Sequence, residues 1–157
     1  MKQKLKLALV GAGERGQYCY APYAKMHGYE IEFVAVADPH KGRREKFVQD
    51  YHVPAEGVFE TAEQFFARPR MADAVLICTQ DSQHYAYACQ AIDLGYSILL
   101  EKPISPSVRE CLDLQRRAEE KGTQIMVCHV MRYTKFYRKL KELIDSGVIG
   151  GVVHVTH

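Results

Sequence analysis

The chain has 157 residues, 47% of them hydrophobic and 25% charged, which suits one ordinary globular domain with a sizeable core and argues against disorder. A formal net charge of +2 is too small to point to nucleic acid or to a membrane surface as a partner. Five cysteines, Cys19, Cys78, Cys89, Cys111 and Cys128, an odd number with no CxxC spacing, argue against a disulfide framework or a zinc site and fit a reducing cytosol.

Leu5 to Val10 is predicted as a buried strand. The basic residues before it raise the rival of a signal peptide, but the apolar run is short and ends in glycines rather than a cleavage site. Ile31 to Asp38 (IEFVAVAD) is a second strand, and a short one is expected near Val58. Thr61, followed by Glu63 and Gln64, caps a short helix containing Phe65 and Phe66. Ala74 to Thr79 (AVLICT) is the next strand, followed by a helix with its stripe at Tyr85, Ala88, Cys89 and Ile92 and a stop at Gly95. Ser97 to Leu100 is a strand, and Val108, Cys111, Leu112 and Gln115 mark a helical stripe in a segment ending near Gly122. Gln124 to Cys128 is the sixth strand, and Phe136, Leu140, Leu143 and Ile144 mark a last helix closed by Gly147. No apolar stretch approaches the roughly 20 residues of a membrane span.

Near-continuous apolar strands alternating with amphipathic helices predict an α/β chain, a doubly wound and mostly parallel sheet of about six strands with right-handed crossovers. The closing GGVVHVTH reads as the opening of a further strand. The expected organisation is therefore one domain over residues 1–147, with residues 148–157 beginning a second domain that is absent from the chain.

Directly after the first strand stands Gly11-Ala12-Gly13-Glu14-Arg15-Gly16, a GxGxxG turn. In a strand–turn–helix context Gly11 permits the tight turn, Gly13 lets the backbone approach a pyrophosphate, and Gly16 lets the helix pack on the strand. The helix start adds free N–H groups and partial positive charge. Asp38 ends the second strand, 22 residues after Gly16, where a carboxylate accepts hydrogen bonds from a ribose diol. Together they predict a Rossmann site for a nicotinamide dinucleotide, against the blander reading of a tight turn and a helix-capping Asp before Pro39. A methyltransferase using S-adenosylmethionine shares these two features, but the sixth-strand region and the residues below count against it. A carboxylate at position 38 repels a 2′-phosphate and favours NAD, with NADP as the alternative. His40, Lys41, Arg43 and Arg44 follow, and Arg43 is a candidate contact for a phosphate; the rival reading is a solvated first helical turn.

In open α/β sheets ligands lie beyond the carboxyl ends of the strands. Thr79 to His84, Glu101-Lys102-Pro103 and His129 to Arg132 fall there. Lys102, biased towards an extended backbone by Pro103, is the catalytic candidate, able to touch a substrate hydroxyl and relay its proton as hydride leaves carbon. A surface lysine at a strand end is the competing explanation. A lone histidine opening a helix, as His84 does, is more often structural. The histidines and carboxylates lack metal-ligand spacing.

The stretches GAGERG, VADP, ICTQDSQH, EKPIS and MRYTKFYRKLKELIDSGVIGGVVHV together resemble the glucose–fructose oxidoreductase/inositol dehydrogenase (Gfo/Idh/MocA) family, over essentially the whole chain. The EKP after the fifth strand and the closing LIDSGVIG are the specific parts. The resemblance implies an N-terminal Rossmann domain followed by a larger domain with an open antiparallel sheet, which carries substrate contacts and often the dimer interface. It implies an oxidoreductase passing hydride between NAD(P) and a sugar, inositol or related polyol, homo-oligomeric through the second domain and inactive without it; the cysteine usage adds a cytoplasmic location. Carried over residue by residue, Gly11, Gly13, Glu14, Arg15 and Gly16 would form the pyrophosphate turn, and Asp38 would bind the adenosine ribose. Thr79 and His84 would lie near the cofactor, and Glu101 and Lys102 by the nicotinamide ribose. Gln80 stands where the family often has proline, which puts the loop shape in question and makes Gln80 a cofactor contact in its own right. The family's catalytic Asp/His pair lies in the second domain, outside these residues. A non-catalytic NAD(P)-binding regulator on the same fold is the alternative, and Lys102 in EKP favours the enzyme.

Overall fold

A computed structural model describes residues 3–156, which divide into two compact units, the first ending at Val127 and the second beginning at Cys128. The first unit is built on six strands: β1 (Leu5–Val10), β2 (Ile31–Ala37), β3 (Val58–Phe59), β4 (Ala74–Ile77), β5 (Ser97–Leu100) and β6 (Ile125–Val127). They form one sheet, all parallel, in the order β3-β2-β1-β4-β5-β6. This is the doubly wound order expected from the strand–helix alternation. Each strand appears where the apolar runs place it, with β2, β4 and β6 ending one or two residues earlier.

Alternation along the strands sends side chains to both faces. Leu7, Leu9, Phe33, Val36 and Leu76 meet the helices that follow β1 and β2: a π-helical segment (Glu14–Tyr20), α1 (Pro22–Met26) and α2 (Lys41–Tyr51). Ala8, Val10, Val75, Ile77, Ile98 and Leu100 meet α3 (Ala62–Phe66), α4 (His84–Asp93) and α5 (Val108–Lys121) on the other face. Thr61 caps α3 by accepting from the Gln64 N–H, as its sequence predicts, and Phe65 and Phe66 are buried.

The stripe expected on α5 does not face the core. Val108 and Leu112 are exposed, and Leu114 is the buried residue, flanked by the partly buried Ala118. The helix presents Leu114 and Ala118 (i, i+4) to the core, while Cys111, Leu112 and Gln115 line an open groove beside Leu100, Ile125 and Val127.

In the second unit a short 3-10 turn (Val130–Tyr133) precedes α6 (Lys135–Asp145), whose Phe136, Leu140 and Ile144 are exposed. The strand expected at the chain's end does not form within the described residues. Residues 151–156 carry no regular structure, and Val153 is 98% exposed. A short β-prone run with no strand beside it has nothing to pair its amides.

Strand register places the site. Val10 pairs with Ala37 and with Ile77, and Ile77 pairs with Leu100, so four strands end level. The ladder runs one residue further: Gly11 N–H donates to Ala37 O (2.8 Å), Cys78 N–H to Val10 O (2.8 Å) and Glu101 N–H to Ile77 O (3.0 Å). Gly11, Asp38, Cys78 and Glu101 thus open their loops along one edge.

Candidate functional site

The glycines of the first loop separate by what surrounds them. Gly11 has φ +95°, and a Cβ there would lie 2.6 Å from the Cys78 carbonyl oxygen. A Cβ on Gly16 would lie 2.4 Å from Gly11 O and 2.8 Å from Leu9 Cδ1. Both are required by the protein's own packing. Gly13 is not: its φ of −79° suits any residue, and a Cβ would meet only Arg43 Nη1, at 3.9 Å. The space left there is open, which is the cradle a pyrophosphate needs in order to approach the backbone. Glu14 and Arg15 stand exposed on the helix that follows.

Asp38 is 3% exposed. Its Oδ2 accepts from the Ala12 N–H and its Oδ1 from the His40 N–H, both at 2.8 Å. The carboxylate therefore grips the glycine turn and begins α2, and each oxygen keeps a lone pair for a ribose hydroxyl. The basic residues after it behave differently from one another. His40 caps α2, accepting from the Arg43 N–H, while Lys41 and Arg43 are exposed. Arg44, expected on a solvated turn, is instead buried, its Nη1 donating to Asp38 O (2.7 Å) and its Nη2 to Glu60 (3.2 Å). A buried guanidinium is tolerated because both ends find acceptors.

After β4, the Thr79 Oγ1 is buried without a hydrogen-bond partner among the described residues. A buried hydroxyl left unpaired is costly, and a ligand in the crevice would relieve it. Gln80 is exposed and caps a 3-10 turn (Asp81–Gln83), its N–H donating to Gln83 Oε1 at 3.3 Å. His84 is 1% exposed; its Nδ1–H donates to the Pro103 carbonyl oxygen at 2.6 Å, and its Nε2 lies 3.2 Å from the Thr79 carbonyl oxygen. Neither ring nitrogen is free.

After β5, Glu101 is buried, at 6% exposure. Its Oε1 accepts from the Tyr20 hydroxyl and its Oε2 from the Lys102 N–H at 2.9 Å. Lys102 itself is exposed, and the Lys102–Pro103 bond is cis. Arg15 belongs to the same neighbourhood: the Cys19 sulfur and then the Glu101 carboxylate hold its guanidinium above its ordinary range. Tyr20 was invisible to periodicity, because it depends on the π-helical turn and on a residue 81 positions away. His129 to Arg132 lie in the second unit, where Val130 to Tyr133 form the 3-10 turn.

A sheet in this order, with a glycine turn after β1 and a buried carboxylate after β2, defines a dinucleotide-binding domain. More particularly, the chain belongs to the Gfo/Idh/MocA family, described as an oxidoreductase family with an NAD-binding Rossmann fold, which matches residues 5–129. Inositol 2-dehydrogenase of Pseudomonas savastanoi pv. phaseolicola is 31% identical over 157 residues, covering 98% of this chain and 46% of that protein. The scyllo-inositol 2-dehydrogenase (NAD(+)) of Bacillus subtilis is 29% identical, covering 98% and 44%. Among solved structures, the WlbA dehydrogenase from Bordetella pertussis in complex with NADH and UDP-GlcNAcA matches with a TM-score of 0.83 at 20% identity, covering 94% of this chain and 44% of that one. The chain spans under half the length of the relatives it matches. No described helix is long and apolar enough to cross a membrane.

Proposed function

We propose that this chain is the cofactor half of an oxidoreductase that passes hydride between NAD and a hydroxyl-bearing carbon of a sugar, inositol or related polyol. The observation that carries the reading is Gly13, which neither the backbone nor the packing requires, beside an open space at the edge where four strands end. The turn Gly11 to Gly16, with Glu14 and Arg15, would hold the pyrophosphate. Asp38 would hold the adenosine ribose and favour NAD over NADP, with Arg43 reaching over the turn. Thr79, and Gln80 beside it, would meet the cofactor's middle, where an unpaired hydroxyl waits.

When bound, the nicotinamide supplies the carbon that accepts or returns hydride. Glu101 and Lys102 would face that end of the crevice. Lys102, exposed at the strand end, would hold the substrate hydroxyl and carry off its proton as the C–H bond breaks. The relatives extend well beyond the share this chain covers, and we take the substrate-binding surface and a partner for Lys102 to come from a second domain entered through residues 148–157. A homo-oligomer would follow from that domain, as the family resemblance implies, and the odd number of cysteines without CxxC spacing supports a cytoplasmic location.

The test is calorimetric titration of the chain with NAD, beside Gly13→Val. Wild type should bind, and the variant should lose most of its affinity while remaining folded, because the new side chain fills only the open space. Equal affinities would overturn the reading.

A further inference from the structure

We propose that Tyr20 is a positioning residue for the nicotinamide end of the crevice, acting through Glu101 on the segment that carries Lys102. The proposal rests on the crevice being a dinucleotide site, as set out above. It begins with a buried carboxylate. Glu101 is 6% exposed, so its oxygens cannot rely on water and must be paired within the protein. One oxygen takes the Tyr20 hydroxyl and the other takes the N–H of the adjacent Lys102. The two bonds fix the carboxylate from opposite sides. Without the hydroxyl, Oε1 loses its donor, the carboxylate is free to rotate, and the constraint on the Lys102 backbone goes with it.

The helix that brings Tyr20 there is unusual. Residues Glu14–Tyr20 wind as a π-helix, closed by Ala21 N–H donating to Gly16 O at 3.0 Å. π-turns are rare and tend to mark functional places. Here the widened turn sets Ala21 against the sheet, fully buried, and leaves Tyr20 half-buried beside it. Tyr20 also lines an open groove that runs past Leu7 of β1, Leu76 of β4 and Leu99 of β5. The same seven-residue helix begins at the pyrophosphate turn and ends at Tyr20. It therefore links the two halves of the crevice: the loop after β1 that would take the phosphates and the loop after β5 that would take the nicotinamide ribose. Arg15, on the same helix, adds charge near Glu101 while its guanidinium donates to Cys19 Sγ, so the Tyr20 hydroxyl is what fixes the carboxylate's orientation.

Tyr20→Phe keeps the ring in the groove and removes only the oxygen. Its test compares NAD with ADP, which shares the adenosine half and lacks the nicotinamide ribose. The variant should bind NAD on the order of tenfold more weakly, the scale of a lost hydrogen bond to a carboxylate, and bind ADP as wild type does. The shift in NADH emission on binding should shrink as well. A general loosening would lower both affinities together, and that result overturns the proposal, as does an unchanged NAD affinity. A second variant guards against an indirect effect: on a Glu101→Ala background, Tyr20→Phe should cost nothing further, whereas additive losses would show that Tyr20 does not act through Glu101. Wild type binding neither NAD nor ADP would instead remove the reading of the crevice itself, and this proposal with it.

Discussion

The Nδ1–H of His84 donates to the carbonyl oxygen of Pro103 at 2.6 Å, so the first residue of α4 holds the residue that follows Lys102. The other ring nitrogen lies 3.2 Å from the Thr79 carbonyl oxygen. One buried ring thus ties the loop after β4 to the loop after β5. The sequence offers His84 both as a cofactor contact and as a structural histidine, and its geometry suits a part in fixing the crevice rather than touching what fills it.

His84→Phe should fill the volume but remove the donor to the Pro103 carbonyl oxygen. The expected cost is about 0.5–1.5 kcal/mol of stability, the net worth of one hydrogen bond whose acceptor lies on an exposed residue. NAD affinity should fall with it, because the Glu101 to Pro103 segment is no longer held. Thermal unfolding and calorimetry on the same preparation check both. Unchanged stability would mean that the carbonyl finds another donor.

The three glycines of the turn predict three outcomes. Gly16→Ala sets a Cβ against Gly11 O and a Leu9 methyl, and Gly11→Ala adds an unfavourable φ to a clash with Cys78. Each should lower Tm by several degrees, the overpacking cost being roughly 1–3 kcal/mol. Gly13→Ala should leave Tm near that of wild type, since nothing within 3.9 Å resists it. A destabilised Gly13→Ala would show that its glycine serves packing and not a ligand.

Asp38→Ser should narrow any preference for NAD over NADP by removing the carboxylate that repels a 2′-phosphate. It should also weaken both cofactors somewhat, because the Ala12 N–H loses the acceptor that fixes the turn. Titration with each nucleotide separates the two effects. A wild type that binds both equally would overturn this reading of Asp38 and point to Arg43 as a partner for the 2′-phosphate.

The parts of this molecule that were legible in the sequence share a physical reason. Strands covered on both faces must be apolar throughout, so β1, β2, β4 and β5 announce themselves, and level strand ends then fix where the loops converge. Glycines demanded by a turn or a close contact are visible as spacing. What stayed hidden depends on partners distant in the chain. Arg44 reads as a solvated residue on a first helical turn until Glu60, 16 residues on, and the Asp38 carbonyl take its guanidinium inward. Tyr20 has no periodic signal, because a π-turn shifts the register of everything after it by one residue. On α5, apolar residues occur on more than one side, and only the approach to β5 and β6 selects Leu114.

A final prediction concerns pH and the packing of α4 on α5. The Tyr85 hydroxyl donates to Asp113 Oδ2 at 2.7 Å, and Arg116 and Arg117 donate to the same carboxylate at 2.7 and 2.6 Å. Arg116 first, then Tyr85 and Arg117, hold the Asp113 carboxyl well below the ordinary carboxylate range. In turn, Asp113 above all pushes Tyr85 up to about 12. The signs differ at the two ends of the scale. A lowered carboxyl contributes stability that is present above its unfolded value, about 3.9, and is lost as pH falls towards the folded one. A raised phenol contributes stability that is present below its unfolded value, about 10, and is lost as pH rises through the folded one. Unfolding measured against pH should therefore show the Asp113 contribution fading on the acid side, damped by solvent screening because its arginine partners lie at the surface. Asp113→Asn should flatten that loss. The tyrosinate absorbance titration of the folded variant should show one phenol returning to its ordinary range. Tyr87, pushed up to about 12 chiefly by its own burial and by Glu63, should stay where it is and serve as the internal control. If Asp113→Asn leaves the late-titrating tyrosines unchanged, the bond between Tyr85 and Asp113 is not what joins these two helices.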